Sequence, residues 1–246
     1  MSLQFIMGNS GSGKSYCLYD TVVREAIENP DKNYLVIVPE QFTMQTQKDL
    51  CLAHPKGGIM NIDVLSFGRL AYRVFEEVGQ DARVVLDDEG KNLVLRKIAG
   101  ECEKDLKVFK GNLKKQGYIS EVKSVLSEFA QYGVDFERLD DFMKEVPPES
   151  YLHYKLDDIR TIYEKFEEYL SEKYITKEEM LDVLSDAVPY SDILKGSVVA
   201  MDGFTGFTPV QNRLIGELFS VCEKVMITVT MDGRENPYVY EHPYQI

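Results

Sequence analysis

Near its start the chain reads Gly8-Asn9-Ser10-Gly11-Ser12-Gly13-Lys14-Ser15, which matches the phosphate-binding pattern G-x-x-x-x-G-K-[ST] at every fixed position. The apolar run Leu3-Gln4-Phe5-Ile6-Met7 precedes this loop, and a helical pattern from about Lys14 to Glu28 follows it. Its glycines allow a tight turn whose backbone N–H groups face the phosphates of a nucleotide. We expect Lys14 to neutralise the β- and γ-phosphates and the Ser15 hydroxyl to coordinate Mg²⁺.

Strand and helix patterns alternate through the rest of the first third. Proline cannot continue a helix, so Asn29-Pro30 ends the first one. Buried-type strands follow at Tyr34 to Val38 and Ile62 to Leu65, separated by a polar helix from about Gln41 to Leu52. Ser66 can cap the next helix. Alternation of this kind predicts a parallel sheet with right-handed crossovers.

The middle of the chain, residues 87–190, carries helical patterns and no strand signal. Within it, Thr176 and Glu179 have the spacing of a capping box. The strand pattern returns at Val198-Val199-Ala200-Met201, followed by a helix from Thr208-Pro209 to about Val221 and a strand from Val225 to Thr230. We therefore predict an α/β domain formed by residues 1–86 and 191–246, interrupted by an all-helical insertion domain over residues 87–190.

The amino-acid composition limits the classes of protein to which the chain can belong. The 246 residues carry a formal charge of −13 and are 44% hydrophobic, which favours a folded core and argues against coating nucleic acid by bulk charge. The four cysteines and three histidines are scattered, so no zinc or iron–sulfur site is indicated. No apolar run is long enough to cross a bilayer and no signal peptide is evident, so we expect a soluble, cytoplasmic protein. Because the chain stops soon after its last strand, we expect it to be a piece of something longer.

Asp202 is the candidate for the second half of a nucleotide site. It directly follows the apolar run that ends at Met201. We expect that strand to lie beside the strand that carries the glycine-rich loop. The Asp202 carboxylate would then hold the magnesium ion, directly or through a water.

The segment Asp202-Gly203-Phe204-Thr205-Gly206-Phe207-Thr208-Pro209-Val210-Gln211 resembles the D-E-F-Q-D motif, with its later glutamine, of superfamily 1 DNA helicases related to UvrD. Asp202, Phe204 and Gln211 match that motif. Gly203 stands where active members have the glutamate that orients the attacking water, and Thr205 and Gly206 replace the motif's glutamine and aspartate. Glycine can neither accept a proton nor align a water, so no catalytic residue is left intact. We expect ATP binding without efficient hydrolysis.

Two further segments make the resemblance narrower. Together with the glycine-rich loop, Val38-Pro39-Glu40-Gln41-Phe42-Thr43 and Val64-Leu65-Ser66-Phe67-Gly68-Arg69-Leu70 are similar to the B subunit of AddAB-type ATP-dependent helicase/deoxyribonuclease complexes. The resemblance covers essentially the whole chain. It implies a RecA-like P-loop NTPase core that binds ATP and Mg²⁺. It also implies a heterodimer with an A subunit that supplies the motor and acts on double-strand DNA ends in recombinational repair. A nuclease domain and an iron–sulfur cluster would lie in the full-length protein, outside this fragment.

In active relatives the loops after the second and third strands touch single-stranded DNA. The matching candidates here are Gln41, Thr43, Ser66, Phe67 and Arg69, because hydroxyls and amides can bond phosphates and Phe67 can stack on a base. The alternative is that Ser66 is a simple helix cap and that Phe67 is a core residue. A basic stripe at Lys104, Lys107, Lys110, Lys114 and Lys115 could track a duplex backbone or form an ordinary solvated face.

Three other functions stay open at this point. A competent DNA-dependent ATPase and helicase motor would need a base from elsewhere, which Gly203 argues against. A small-molecule P-loop kinase would need a lid of arginines, whereas the helical block holds only Arg96, Arg138 and Arg160, which are not clustered. A purely structural role would leave the loop without nucleotide affinity.

Overall fold

The computed structural model describes residues 2–79, 84–113, 115–170 and 173–231, and Gln116 without its side chain. By their contacts the residues divide into two compact units, Met1–Asp81 with Leu181–Ile246, and Ala82–Met180. The elements in chain order are β1 (Ser2–Gly8), α1 (Lys14–Glu28), β2 (Tyr34–Ile37), a 3₁₀ turn (Glu40–Phe42), α2 (Thr43–Ala53), β3 (Ile62–Leu65), α3 (Phe67–Val78), β4 (Val84–Leu86), α4 (Asp88–Glu101), α5 (Gln116–Tyr132), α6 (Phe136–Glu145), α7 (Tyr151–Leu170), β5 (Tyr174–Thr176), α8 (Glu179–Ala187), a second 3₁₀ turn (Val188–Tyr190), β6 (Val198–Met201), α9 (Pro209–Val221) and β7 (Lys224–Thr230).

The first unit is built on one parallel sheet. Its strands lie in the order β1-β7-β6-β2-β3, and every pair is parallel, as the alternation of strands and helices predicts. Strands β2 and β6 are buried along their whole length. Among the described residues β1 pairs on one side only, and Leu3, Phe5 and Met7 on it are exposed. The α/β class with a parallel sheet is therefore confirmed.

Local capping signals in the sequence are confirmed by hydrogen bonds. The Ser66 hydroxyl accepts from the Arg69 N–H at the start of α3. At the start of α8, Thr176 and Glu179 form the reciprocal bonds of a capping box. Helix α1 ends at Glu28, directly before Asn29-Pro30. These ends could be predicted because each depends on residues only three or four positions apart.

The prediction of an all-helical block over residues 87–190 is wrong in one respect. Strand β5 lies inside that range and pairs in parallel with β4, forming a second, two-stranded sheet. Three residues are too few to establish an alternating pattern, and the partner of β5 lies far away along the chain. The block is thus helical with one short strand. Residues 80–83 and 232–246, near the predicted domain boundary and at the chain's end, fall outside the described residues.

The second unit has its own hydrophobic core, formed where α4, α5 and α7 face one another. The predicted stripes supply it: Ile119, Val122 and Leu126 from α5 are buried, as are Ile159 and Phe166 from α7. A buried ion pair accompanies this core. Lys91 on α4 is 3% exposed, and its ammonium donates to the Glu178 carboxylate at 2.8 and 3.0 Å and to the Ser127 hydroxyl at 3.1 Å.

Removing only one partner of this pair should destabilise the protein most. Glu178→Ala leaves the Lys91 ammonium buried without its carboxylate, so we expect the free energy of unfolding to fall by about 3–5 kcal/mol. The double variant Lys91→Met/Glu178→Leu removes both charges and should lose much less. Urea unfolding of the three proteins measures the difference, and an equal loss in the single and double variants would contradict the expectation.

Candidate functional site

The glycine-rich loop joins the end of β1 to the start of α1. Gly13, directly before α1, has φ 84° and ψ 18°, a left-handed conformation that favours glycine. The first turn of α1 has no side-chain cap and no acidic residue. Backbone N–H groups at a helix start lack partners within the helix, and the helix dipole is positive there. This end of α1 therefore suits an anion such as a phosphate.

Lys14 lies over the loop itself. Its Nζ donates to the carbonyl oxygen of Asn9 at 2.7 Å, and the Ser12 N–H donates to the same oxygen at 3.2 Å. Loop residues 9–13 and Ser15 are exposed to solvent. A lysine ammonium has three donor hydrogens, so Lys14 has further capacity for an incoming oxygen anion.

Asp202 is buried directly after β6, and both of its carboxylate oxygens accept hydrogen bonds. The Tyr19 hydroxyl, on α1, donates to Oδ2 at 2.7 Å, and the Thr228 hydroxyl, on β7, donates to Oδ1 at 2.6 Å. The Tyr19 oxygen also lies 3.2 Å from the Thr46 hydroxyl on α2. Two elements, α1 and β7, thus contact the carboxylate that follows β6, and α2 is joined to them through Tyr19.

The number of hydroxyl hydrogens determines which group donates and which accepts in each of these hydrogen bonds. Tyr19 has one hydroxyl hydrogen, and it is committed to Asp202 because an ionised carboxylate can only accept. Thr46 must therefore donate to Tyr19. Burial raises the pKa of the Tyr19 phenol, and the hydrogen bond and charge of Asp202 raise it further, so the phenol stays protonated at neutral pH.

The order of the strands at this site differs from the prediction in one respect. Strand β7 lies between β1 and β6, so the two strands are not neighbours as expected. The hydrophobic pattern of a single strand does not indicate which strands will be its neighbours in the sheet. Nevertheless, Tyr19 is four residues after Ser15 on α1, and residues so spaced share one helix face. The contact of Tyr19 with Asp202 therefore places the carboxylate on the Ser15 side of α1.

The donor set at this place is suited to magnesium held together with a nucleotide. Mg²⁺ prefers oxygen ligands and is commonly bound by one or two carboxylates together with substrate phosphates and waters. One carboxylate and one hydroxyl fit that role, whereas among the described residues no group of three or more His, Cys, Asp or Glu side chains gathers to hold a metal. The four cysteines are free: Cys102 and Cys222 are buried, and Cys17 is exposed.

Gly203 adopts a backbone conformation that disfavours other residues. Its φ is 78°, in the left-handed region. A Cβ atom built there would lie 3.5 Å from Pro39 Cδ and 3.6 Å from Phe42 Cδ2, so space exists although the backbone would be strained. Next to it, the Phe204 ring packs against the rings of Phe67 and Phe207, with centroids 5.3 and 5.0 Å away.

Gln211, the later glutamine of the helicase resemblance, has a structural partner. Its side-chain Oε1 accepts from the Thr208 N–H at 3.0 Å, and the Thr208 hydroxyl accepts from the Gln211 N–H, which forms a capping box for α9. The spacing T-x-x-Q signals this box in the sequence. The roles of Tyr19 and Thr228 were not found by sequence reasoning. For Tyr19 the four-residue spacing from Ser15 was an available signal.

The five candidates for DNA contact all follow strands of the sheet, but they differ in exposure. Gln41 and Arg69 are exposed, whereas Thr43, Ser66 and Phe67 are buried. Two of the buried side chains have local partners: the Thr43 hydroxyl donates to the Glu40 carbonyl, and the Ser66 hydroxyl caps α3. Only Gln41 and Arg69 of the five thus present their side chains to solvent. DNA contact by these residues stays a prediction.

The first unit is therefore an α/β domain with a five-stranded parallel sheet, and the glycine-rich loop, Asp202 and the exposed polar loops follow the carboxyl ends of its strands. Residues 5–244 match the family model described as ADDB, N-terminal, so the chain belongs to that family. No helix among the described residues is long and apolar enough to cross a membrane.

Three relatives are named as the B subunit of an ATP-dependent helicase/deoxyribonuclease. The chain is 48% identical over 232 residues to the protein from Lachnoclostridium phytofermentans, 37% over 235 residues to that from Clostridium tetani, and 35% over 232 residues to that from Alkaliphilus metalliredigens. The alignments cover 94%, 95% and 94% of this chain and 20% of each relative. The chain therefore spans about a fifth of the length of these relatives.

Tyr19→Phe tests the hydrogen bond to Asp202. The substitution removes the donor with little change in volume, so the free energy of unfolding should fall by about 1.5–3 kcal/mol, the range for a bond to a charged group. Tyr16→Phe, on the same helix at a side chain that is 76% exposed, is the matched control and should change nothing measurable. Chemical denaturation of the two variants gives the comparison, and equal stabilities would show that the bond contributes nothing.

Gly203→Ala tests the backbone at position 203. An L-residue in the left-handed region costs about 1–2 kcal/mol, so the variant should be destabilised by that amount. Gly216→Ala is the control because Gly216 lies within α9, outside the left-handed region and with open space around its Cβ position. There alanine should stabilise by up to about 1 kcal/mol. Changes of the same sign at both positions would contradict the assignment.

Proposed function

We propose that this chain is the ATP-binding N-terminal part of the B subunit of a heterodimeric helicase/nuclease that processes double-strand DNA ends for recombinational repair. Its family and the name that its relatives carry support this proposal. The A subunit would supply the working motor, and the complex would act in the cytoplasm. The nuclease domain and an iron–sulfur cluster would belong to other parts of the full-length protein.

The observation that carries the nucleotide proposal is the uncapped start of α1 behind the glycine-rich loop, with a buried carboxylate on the Ser15 side of the same helix. Residues Gly8 to Ser15 would hold the phosphates of ATP through backbone N–H groups and the Lys14 ammonium. Ser15 and Asp202 would hold Mg²⁺, which when bound neutralises phosphate charge. We interpret the strand order, with one strand between β1 and β6, as a RecA-like core carrying a largely helical insertion.

The site is proposed to hold ATP rather than to hydrolyse it. In-line attack needs a group that orients a water or accepts its proton, and Gly203 has no side chain to do either. Tyr19 and Thr228 donate to the two oxygens of Asp202 and so hold this carboxylate in a set place, which supports a role as a metal ligand over a role as a mobile base. Nucleotide occupancy would then help the complex to clamp a DNA end.

Contact with single-stranded DNA would involve the segments that follow β2 and β3. Gln41 and Arg69 are solvent-exposed shortly after β2 and β3 and can donate hydrogen bonds to phosphates. Thr43, Ser66 and Phe67 would support these loops from below. In this proposal the exposed side chains would contact the DNA, whereas the buried ones would hold the loops in place.

Lys14→Ala tests nucleotide binding directly. Titration of the chain with labelled Mg-ATP should show saturable binding that this substitution weakens by about tenfold or more, since hydrogen bonds to charged groups contribute about 1.5–3 kcal/mol. Lys48→Ala is the control, because Lys48 is exposed on α2, away from the loop in sequence, and should leave the affinity unchanged.

Turnover of ATP measured on the same samples separates the alternatives. We expect phosphate release by the chain to stay at the level of Lys14→Ala, because the group at position 203 is missing. Release that depends on Lys14 would favour a competent motor or a kinase. A folded chain that binds no ATP would favour the structural role and would overturn the proposal.

A further inference from the structure

The second unit contains a loop whose charge opposes that of the rest of the chain. The described residues 104–113 and Lys115, here named the basic loop, include four lysines and one aspartate, in a chain whose net charge is −13. Lys114 lies outside the described residues. The four lysines of the basic loop are exposed: Lys104, Lys107, Lys110 and Lys115.

Apolar side chains fix the basic loop to the core of its unit. Leu106, Phe109 and Leu113 are 3–5% exposed and belong to the hydrophobic cluster formed with α4, α5 and α7. They alternate along the chain with the exposed lysines. Each lysine therefore stands close to a buried anchor, which gives its Cα a set position and leaves its ammonium in solvent.

A buried carboxylate fixes the backbone of the same loop. Asp158 on α7 is 1% exposed and accepts the N–H groups of Lys107 at 2.8 Å, Val108 at 2.7 Å and Phe109 at 2.8 Å. Three backbone donors satisfy this carboxylate without using any lysine ammonium. The buried Asp158 carboxylate thus holds the backbone of the loop, while the lysine ammoniums of the loop remain in solvent.

Two of the lysines have no acidic partner among the described residues. Lys104 and Lys110 make no ion pair there, whereas Lys107 pairs with Asp157 at 2.9 Å and lies 4.8 Å from the centre of the Tyr154 ring. Both members of that pair are about half exposed, so the pair contributes little free energy and a competing anion can replace Asp157. Lys115 lies over the Tyr118 ring.

We propose that the basic loop binds the phosphodiester backbone of a nucleic acid. Lysine ammoniums are point charges without a directional fork, and several of them on a fixed backbone suit a polyanion whose charges recur at regular spacing. A loop that is already ordered also loses less conformational entropy on binding. The contact would be independent of base sequence because no base-reading group takes part. The inference rests on the proposed function only in assuming that the chain works on DNA.

The test compares two double variants with equal change in net charge. Lys104→Gln/Lys110→Gln removes the unpaired lysines of the basic loop. Lys144→Gln/Lys195→Gln removes two exposed lysines that pair with Asp141 and Asp192, one on each unit. Binding to a labelled short duplex and to a single strand of the same length is measured by fluorescence anisotropy at several salt concentrations. Comparing the affinities for the duplex and for the single strand shows which of the two forms of DNA the loop binds.

We expect the basic-loop variant to bind its preferred form on the order of tenfold more weakly. The slope of log affinity against log salt should fall by about 0.9 per lost contact on duplex, or about 0.7 on single strand. The control should keep both values. Equal behaviour of the two variants would mean that only bulk charge matters and would overturn the proposal. Equally strong competition by polyglutamate at matched charge would do the same, since the surface would then suit an acidic polypeptide.

Failure of this proposal and failure of the proposed function give different results. DNA binding is measured without nucleotide, and ATP binding is measured separately on the same proteins. A chain that binds no ATP but loses DNA affinity in Lys104→Gln/Lys110→Gln would contradict only the nucleotide site. A chain that binds ATP and shows no difference between the double variants would contradict only the basic loop.

Discussion

The buried carboxylate of Asp202 is the interaction on which the first unit's site depends. An ionised carboxylate in a protein interior is costly unless its oxygens accept hydrogen bonds, and here each oxygen accepts one from a hydroxyl. The donors Tyr19 and Thr228 come from α1 and β7, so satisfying one charge ties the helix behind the glycine-rich loop to the strands beside it. Thr46 extends the same network to α2. The network therefore links the nucleotide candidate to the helix that follows the exposed Gln41.

The turn after this carboxylate relates the proposal of ATP binding without hydrolysis to a backbone conformation. Gly203 has a left-handed φ, so the chain turns there in a way that a residue with a Cβ adopts only with strain. A glutamate at this position would have to overcome that strain before it could orient a water. The conformation of the turn thus supports the proposal that no base acts from position 203, and the next residue, Phe204, packs against Phe67 and Phe207.

Sequence reasoning succeeded where the physics is local. The ends of α1 and the caps at Ser66 and Thr176 depend on residues within four positions, and the glycine-rich loop with its flanking elements is contiguous. It failed where distant segments meet. The pairing of β4 with β5, the insertion of β7 between β1 and β6, and the contact of Tyr19 with Asp202 join residues that are far apart in sequence, and no single pattern encodes them.

The short range of electrostatic interactions in salt makes the two proposed anion sites compatible with an acidic chain. At physiological salt the Debye length is about 8 Å, so an exposed charge interacts chiefly with its immediate neighbours and the total of −13 is largely screened at any one place. What matters is how each site arranges charge within that distance. At the glycine-rich loop the attraction would come from backbone N–H groups and one lysine. At the basic loop, the acidic group that organises the backbone, Asp158, is buried below it and saturated by three N–H donors. Both loops therefore present positive charge to solvent. The acidic side chain associated with each of them, Asp202 or Asp158, is buried and hydrogen-bonded.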